Sequence, residues 1–386
     1  MRRLVTQLLK RTYMTTVKLA SQLGNSGSSQ QRVVYILTFP DNNDQLIQQL
    51  KQSVEVKQLV ILYDKKLVQE VVQYQSLGIE CIAINSGQFF AKGLAMLKQA
   101  KVVVIDNYIA FLGAITFDKT TKVYQIWHAS GAIKCFGWED PKTKQRTTAD
   151  QKRFQAVYDA TDYYVVGSQE MADVFESSYH QPRTKMLVTG VPRTDYFFDL
   201  KNKEQAQLKF KQLFPEAQHK QVVLYAPTYR ESELSVKKWQ EQLPELSDDY
   251  FVLGKVHPHM MSQLSSETLT NLQMDLRGLS LRELLYSIDV LITDYSSIPF
   301  EYELANPKGI TIYYTFDLDD YQQTVGVQSD FYQRFGIRPV LSKKTLNQAF
   351  NQLTANQNGR LKSWNQANDG AATKRLVQHI EQQLKK

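Results

Sequence analysis

The sequence predicts an α/β protein: two doubly wound, Rossmann-like domains facing a cleft, with a basic amphipathic helix in front of them. Three observations predict it. From Arg32 onward, short β-rich runs alternate with helical windows. After about residue 200 that alternation starts again. Residues 1–40 carry Arg2, Arg3, Lys10, Arg11, Lys18 and Arg32 and no acid, on a stretch whose first 23 residues contain no Pro.

In the first half the expected strands are Val33–Phe39, Leu59–Tyr63, Ile79–Ile84, Val102–Asp106, Val123–Trp127 and Tyr163–Gly167. The windows Asn43–Glu55, Lys65–Leu77 and Gly93–Lys101 are amphipathic at helical spacing, and strands alternating with helices at this interval make a parallel sheet. In the second half the expected strands are Val222–Tyr225, Phe251–Val256, Leu272–Leu276, Val290–Thr293 and Ile310–Tyr314, with the polar helical stretch Asn202–Leu213 between the halves. The expected organisation is an arm over 1–24, an α/β domain over 31–190, a second over 191–365, and a C-terminal helix over 366–386. A chain of 386 residues suits two domains of ordinary size, and 42% hydrophobic residues suffice for two cores.

The arm places Leu4, Val5, Leu8, Leu9, Leu19 and Leu23 on one side of a helical wheel and most of the basic residues on the other. That is the pattern of a helix lying in an anionic membrane interface. Packing on the protein body and an organellar transit peptide are the competing readings. Residues 24–29, Gly-Asn-Ser-Gly-Ser-Ser, read as a flexible linker. Of the net charge of +7, this first segment supplies nearly all, so the folded halves lack the basic surface of a nucleic-acid-binding protein. No apolar run is long enough to span a bilayer. Cys81 and Cys135 make neither a disulfide framework nor a metal spacing, which fits a reducing compartment.

The segment Gln125–Gly137 is the most informative. A strand ends at Trp127 and breaks into small residues, with His128 at the carboxyl end, the edge where open α/β sheets bind ligands. A histidine there can move a proton near neutral pH, although a single His is more often an ordinary satisfied side chain. Ala129, Ser130, Gly131 and Ala132 let a substrate approach the backbone, and Lys134 adds a positive charge.

A phosphate site is expected where Val290–Thr293 runs through Asp294, Ser296 and Ser297 into a helix over about Ile298–Leu304. Its free N–H groups and dipole suit an anion, and the serines add hydroxyls or simply cap the helix. Asp294 is open to three roles: a cap, an orienter of a ligand hydroxyl, or a partner of His257. Lys255 and His257 end another strand on one shared face, Pro227, Thr228 and Arg230 follow a third, and Arg193 stands at the hinge. His257 and His259 without nearby acids are weak evidence for a metal, and no cofactor is expected. Phosphate-loop, dinucleotide and nucleophile-elbow motifs are absent.

Together these segments resemble the CDP-glycerol glycerophosphotransferases of Gram-positive wall teichoic acid synthesis. The resemblance runs from about Val33 to Tyr332. It is carried by Trp-His at 127–128, Gly-Val-Pro-Arg at 190–193, Tyr-Ala-Pro-Thr-Tyr-Arg at 225–230, Lys-Val-His-Pro at 255–258 and Thr-Asp-Tyr-Ser-Ser at 293–297. The string Trp-His-Ala-x-Gly-Ala-Ile-Lys-x-Phe-Gly is similar to the glycerol-phosphate primase subgroup, whereas many polymerases have Gly-Thr-Pro after the His. Glu301 stands where many relatives carry Asp. The resemblance implies a GT-B type fold, peripheral attachment to the cytoplasmic membrane face, CDP-glycerol as donor and a polyprenyl-diphosphate-linked disaccharide as acceptor. It implies His128 as general base, Arg193, Arg230, Lys255 and His257 against the diphosphate charge, and His257 alternatively as acid toward the leaving phosphate. Rival readings are a glycerol- or ribitol-phosphate polymerase, a UDP-sugar epimerase and a non-catalytic membrane scaffold.

Overall fold

The computed structural model describes residues 2–23, 31–40, 44–230, 241–242, 246–256, 272–351 and 361–386. They divide into two compact units. The first comprises 1–128, 143–195 and 367–386, and the second 129–142 and 196–366. The chain thus leaves the first unit directly after His128, and residues of the C-terminal helix return to it.

The first unit is built on a seven-stranded sheet in the order β3-β2-β1-β4-β5-β6-β7. Its strands are β1 Arg32–Leu37, β2 Gln58–Tyr63, β3 Glu80–Ala83, β4 Val102–Ile105, β5 Lys122–Gln125, β6 Tyr163–Val166 and β7 Met186–Val188. Every pairing is parallel, with β1 in register with β4 through Val33 opposite Val102. Such a sheet is covered on both faces, which is why its central strands are continuous apolar runs. One face packs on Leu46, Ile47 and Leu50 of the helix Asp44–Gln52 and on Leu376, Ile380 and Leu384 of the helix Ala372–Lys385. The other packs on Phe89, Leu94, Leu97 and Phe111. The C-terminal helix is anchored at its start: Asp195 accepts from the backbone N–H groups of Ala372 (3.0 Å) and Thr373 (2.7 Å).

Three expectations are corrected here. The window Lys65–Leu77 does not form one helix. Asp64 caps a tight turn over Lys65–Leu67, and the α-helix runs only over Val72–Ser76. β7 was not expected, because three residues are too few to show a period. In the second unit, Leu272–Leu276 contributes a single bridge, Gln273 to Leu253, and no strand.

The N-terminal helix spans Arg2–Leu23 and contains neither Gly nor Pro. It lies against the body through Tyr13, Val17 and Ala20, of which Val17 is fully buried. These residues occupy a different face from the apolar side read off the wheel. Val5, Leu8, Leu9 and Leu19 remain 52–66% exposed.

The second unit carries a five-stranded parallel sheet in the order β12-β11-β10-β8-β9. Its strands are β8 Gln221–Ala226, β9 Tyr250–Gly254, β10 Val290–Thr293, β11 Ile310–Tyr314 and the two-residue β12 Pro339–Val340. Phe210, Phe214, Leu284 and Tyr302 fill one face, and Val340, Leu346 and Phe350 the other.

The segment after His128 is an integral part of this second unit. Cys135 N–H donates to Gly326 O (3.0 Å), Gln328 N–H donates to Ile133 O (2.8 Å), and Lys134 bridges Val327 in antiparallel fashion. Gly131 lies against Phe300 so closely that a Cβ there would stand 2.2 Å from the ring. Phe300 is fully buried and packs on Phe335 and Trp364, so it cannot withdraw. Gly131→Ala is therefore expected to cost about 1–3 kcal/mol by overpacking. A lowered thermal unfolding midpoint measures this, and an unchanged midpoint would contradict the packing described.

Candidate active site

In each unit the candidate residues gather at the carboxyl edge of the sheet, where two neighbouring strands lead away in opposite directions. In the first unit that point lies between β1 and β4, in the second between β8 and β10. Open α/β sheets bind ligands at such points.

In the first unit the side chain of Gln125, at the end of β5, holds the turn that follows. Its Oε1 accepts from Trp127 N–H (2.9 Å), and its Nε2 donates to Asn107 O (2.9 Å). Trp127 takes a left-handed backbone, φ +61°, a strained state for a bulky residue that costs on the order of 1–3 kcal/mol. Packing of its indole edge-on to Phe175 (5.5 Å) and Tyr179 (6.3 Å) sustains it. The turn directs His128 away from the strand.

The imidazole stacks on Phe39 (4.3 Å between ring centres, 13° between planes) and on Trp127 (4.6 Å, 27°). His128 Nδ1 lies 3.1 Å from the backbone carbonyl of Asp106. A carbonyl only accepts, so Nδ1 carries the proton and Nε2 keeps its lone pair. Burial lowers the imidazole pKa to about 4, against the Asp106 bond and aided by the charge of Arg193. The ring is thus a neutral base at pH 7.

Two further residues organise this site. Arg193 Nη1 donates to His128 O at 2.6 Å, which brings its guanidinium to the histidine. Asp106 is wholly buried, and its carboxylate accepts from Thr38 N–H (2.8 Å), Thr38 Oγ1 (2.7 Å) and Phe39 N–H (3.0 Å). Burial pushes its pKa up to about 6 despite these bonds. Asp106 thereby fixes Phe39, and Phe39 covers His128. Sequence reading had Asp106 only as the last residue of a strand; its partners Thr38 and Phe39 are too distant in the chain to have been connected with it.

In the second unit Asp294, one residue past β10, joins the turns after β8 and β10. It accepts from Thr228 N–H (2.9 Å), Tyr295 N–H (2.6 Å) and Arg230 Nη2 (2.9 Å). Asp294 thus clamps backbone and guanidinium, a role outside the three expected of it. Arg230 also donates through Nε and Nη2 to Asp317 (2.8 and 3.0 Å), and through Nη1 to Thr228 O and Oγ1 (2.7 Å each). All five of its N–H groups are engaged, which corrects the expectation of a guanidinium presented to phosphate. Arg230 holds the loop together, and Asp317 is a member of the cluster that sequence reading missed. Pro227 and Thr228 are buried within this turn.

Lys134 belongs to the same electrostatic group. Burial lowers its pKa, Asp294 opposes that shift and Arg230 adds to it. Ser297 begins the helix Ile298–Ala305 without a side-chain cap bond, and Ser296 Oγ accepts from Ile298 N–H (3.2 Å). The hydroxyl hydrogens of both serines are therefore not consumed by capping. Glu301, on the same helix, accepts from Ser130 Oγ at 2.8 Å, both side chains being buried. Ser130 and Glu301 thus tie the segment after His128 to the helix. Gly131 and Ala132 are buried there, and Ala129 is half-buried. Lys255 is exposed one residue past β9. His257 lies outside the described residues, as does His259.

A cavity of about 710 Å³ in the second unit, lined by Phe210, Phe214, Tyr286 and Asp289, opens at the amino ends of β8 and β10. It lies away from the cluster, at the sheet edge that α/β folds do not use for ligands. Among the described residues no group of three or more His, Cys, Asp or Glu is placed to hold a metal ion.

Residues 22–382 match the family model described as CDP-Glycerol:Poly(glycerophosphate) glycerophosphotransferase. The chain is 30% identical to the teichoic acid glycerol-phosphate primase of Bacillus subtilis (strain 168), over 91% of each chain. It is 26% identical to that of Staphylococcus aureus (strain NCTC 8325 / PS 47), over 98% of this chain and 99% of the relative. The poly(ribitol-phosphate) polymerase of Bacillus spizizenii (strain ATCC 23059 / NRRL B-14472 / W23) is matched at 28% identity over 64% of this chain and 40% of its own length. Among solved structures, the wall teichoic acid polymerase TagF superposes with a TM-score of 0.74 at 17% identity, covering 99% of this chain and 96% of that one. UDP-GlcNAc 2-epimerase from Neisseria meningitidis superposes with a TM-score of 0.57 at 13% identity, covering 91% and 100%. These two share the fold. With residues 22–382 of its 386 matched by one family model, the chain belongs to the CDP-glycerol:poly(glycerophosphate) glycerophosphotransferase family and is a transferase.

Proposed function

We propose that this transferase moves one glycerol phosphate from CDP-glycerol to an undecaprenyl-diphosphate-linked N-acetylmannosaminyl-N-acetylglucosamine, releasing CMP, in wall teichoic acid synthesis. The observation that carries the chemistry is the imidazole of His128, neutral and held through Nδ1 so that Nε2 is left with its lone pair. His128 Nε2 takes the proton of the attacking sugar hydroxyl. The sugar oxygen bonds to the glycerol-bearing phosphorus, the bond from that phosphorus to the bridging oxygen breaks, and CMP leaves with the electron pair. Lys134, Lys255 and the Ser296–Ser297 helix start offset and orient the diphosphate charge, while Arg230, Asp294 and Asp317 keep that loop in shape. Such electrostatic positioning carries most of phosphoryl transfer. His257 protonates the departing phosphate. Negative charge on bound substrate raises the imidazole pKa toward the operating pH, where a general base is most effective.

The single-unit product is favoured over a polymer by the string Ala129–Phe136 and by the likeness to primases along nearly their whole length. Peripheral attachment to the anionic cytoplasmic face of the membrane is supported by Val5, Leu8, Leu9 and Leu19, left exposed on the N-terminal helix. No helix among the described residues is long and apolar enough to cross a membrane.

With radiolabelled CDP-glycerol and a short-chain lipid-disaccharide, the enzyme is expected to add one unit per acceptor. A lengthening product would favour the polymerase. His128→Ala should lower kcat by about two to four orders of magnitude with the fold intact; full activity would leave a scaffold as the better reading.

The pH dependence has a definite sign. The folded pKa of His128 lies below its unfolded value of 6.5, so its contribution to stability is present above pH 6.5 and is lost as pH falls toward about 4. Wild type should lose more stability than His128→Gln across that window in thermal unfolding scans, and parallel profiles would contradict the burial argument. Finally, Leu8→Glu with Leu9→Glu should abolish sedimentation with anionic vesicles and spare transfer to a water-soluble acceptor; retained sedimentation would remove the membrane role of this helix.

A further inference from the structure

A second cavity, largely apolar but rimmed by charged side chains, lies in the first unit, at the same edge of its sheet as His128. It encloses about 390 Å³ and is lined by Lys10, Tyr13 and Met14 of the N-terminal helix, by Tyr108, and by Arg146, Asp150, Arg153 and Phe154. Lys10, Tyr13 and Met14 share one helix face at spacings of three and four residues. Tyr108 follows two residues after Asp106, the residue whose carbonyl holds His128 Nδ1.

The charges of this cavity do not balance. Three cations surround one carboxylate. Asp150 is saturated: it accepts from Gln7 Nε2 (2.6 Å), from Thr147 Oγ1 (3.0 Å), from Arg153 and, at 3.4 Å, from Lys10 Nζ. Arg146 makes no ion pair among the described residues, and its guanidinium stands 5.0 Å above the Phe154 ring. The Tyr108 hydroxyl also has no hydrogen-bond partner among them. Arg146 is exposed and the Lys10 side chain is 42% exposed, so solvent screens part of the repulsion among these like charges, and a bound anion would relieve the rest. Guanidinium, ammonium and phenol are the donors that suit phosphate oxygens. The aromatic walls suit an apolar or sugar-like continuation of the same ligand. On the same helix, Leu8 and Leu9 are 66% and 65% exposed on a different face from Lys10 and Met14.

We propose that this cavity is the subsite for the diphosphate of the lipid-linked acceptor, with Arg146 and Tyr108 as its principal donors. The inference rests on the transferase reading given above and adds to it where the acceptor head group lies. The N-terminal helix then has two roles: its outer face meets the bilayer while its inner face forms a wall of the head-group site. The sugars linked to the diphosphate extend toward His128 along the carboxyl edge of the one sheet.

The test uses the full chain and farnesyl diphosphate as a soluble probe, followed by titration calorimetry. Arg146→Ala and Tyr108→Phe should each weaken farnesyl diphosphate about tenfold or more, the loss expected for one hydrogen bond to a charged group. In turnover assays both should raise the KM of the lipid-linked acceptor by a similar factor, with kcat and the KM of CDP-glycerol within about twofold of wild type. Arg146→Lys should fall between, because it keeps the charge and loses the fork. Unchanged affinity for farnesyl diphosphate in both variants would overturn the proposal. So would loss of binding to phosphatidylglycerol vesicles with farnesyl diphosphate affinity intact, since the cavity would then take bilayer head groups. The binding arm does not depend on turnover: a wild type that consumes no CDP-glycerol rejects the transferase reading, and the calorimetry still judges the subsite.

Discussion

A buried aspartate just past a strand end, gripping the backbone of the neighbouring loop, is the constraint on which both halves of this protein depend. In the first unit Asp106 follows β4 and accepts from Thr38 and Phe39 after β1. In the second Asp294 follows β10 and accepts from Thr228 after β8. Each joins the two strands at which its sheet changes direction. Backbone N–H groups at such a crevice cannot pair within the sheet, and leaving one buried without a partner costs about 1–3 kcal/mol. The carboxylate removes that cost and gives the ligand edge a single shape.

The two aspartates are used differently. Asp106 has no cationic partner among its hydrogen bonds, so burial dominates and its carboxyl titrates near 6. Its effect on chemistry is indirect, through the ring of Phe39 lying on His128 and through its own carbonyl on Nδ1. Asp294 is paired with Arg230, which is shared with Asp317 and lies over the rings of Tyr295 and Tyr321. Burying a charge this deeply is tolerable only when every donor is satisfied. That requirement turns Arg230 from a phosphate ligand into a structural member. Lys134, a cation of the same cluster, has no such fork of carboxylates among the described residues.

The N-terminal helix divides its apolar residues between two sides. Packing on the body and lying on a membrane are competing readings of its sequence. In the fold the helix packs on the body through one side of its cylinder and leaves another side open, with Val17 buried and Leu8 exposed. Gln7 and Lys10, polar residues that a wheel assigns to solvent, bond Asp150.

The sequence by itself determined the strand–helix alternation, the position of most strands to within a residue or two, the histidine at a strand end and the serines at a helix start. These are local matters: periodicity, turn residues and helix boundaries are set by neighbours a few positions away. Only the tertiary structure decided what each polar group touches. Asp106 meets Thr38 across 68 residues of chain, Arg230 meets Asp317 across 87, and Ser130 meets Glu301 across 171. A charged side chain reads the same in sequence whether it is free or saturated. Which of these it becomes depends on partners that folding brings within about 3 Å, at separations where no sequence period survives.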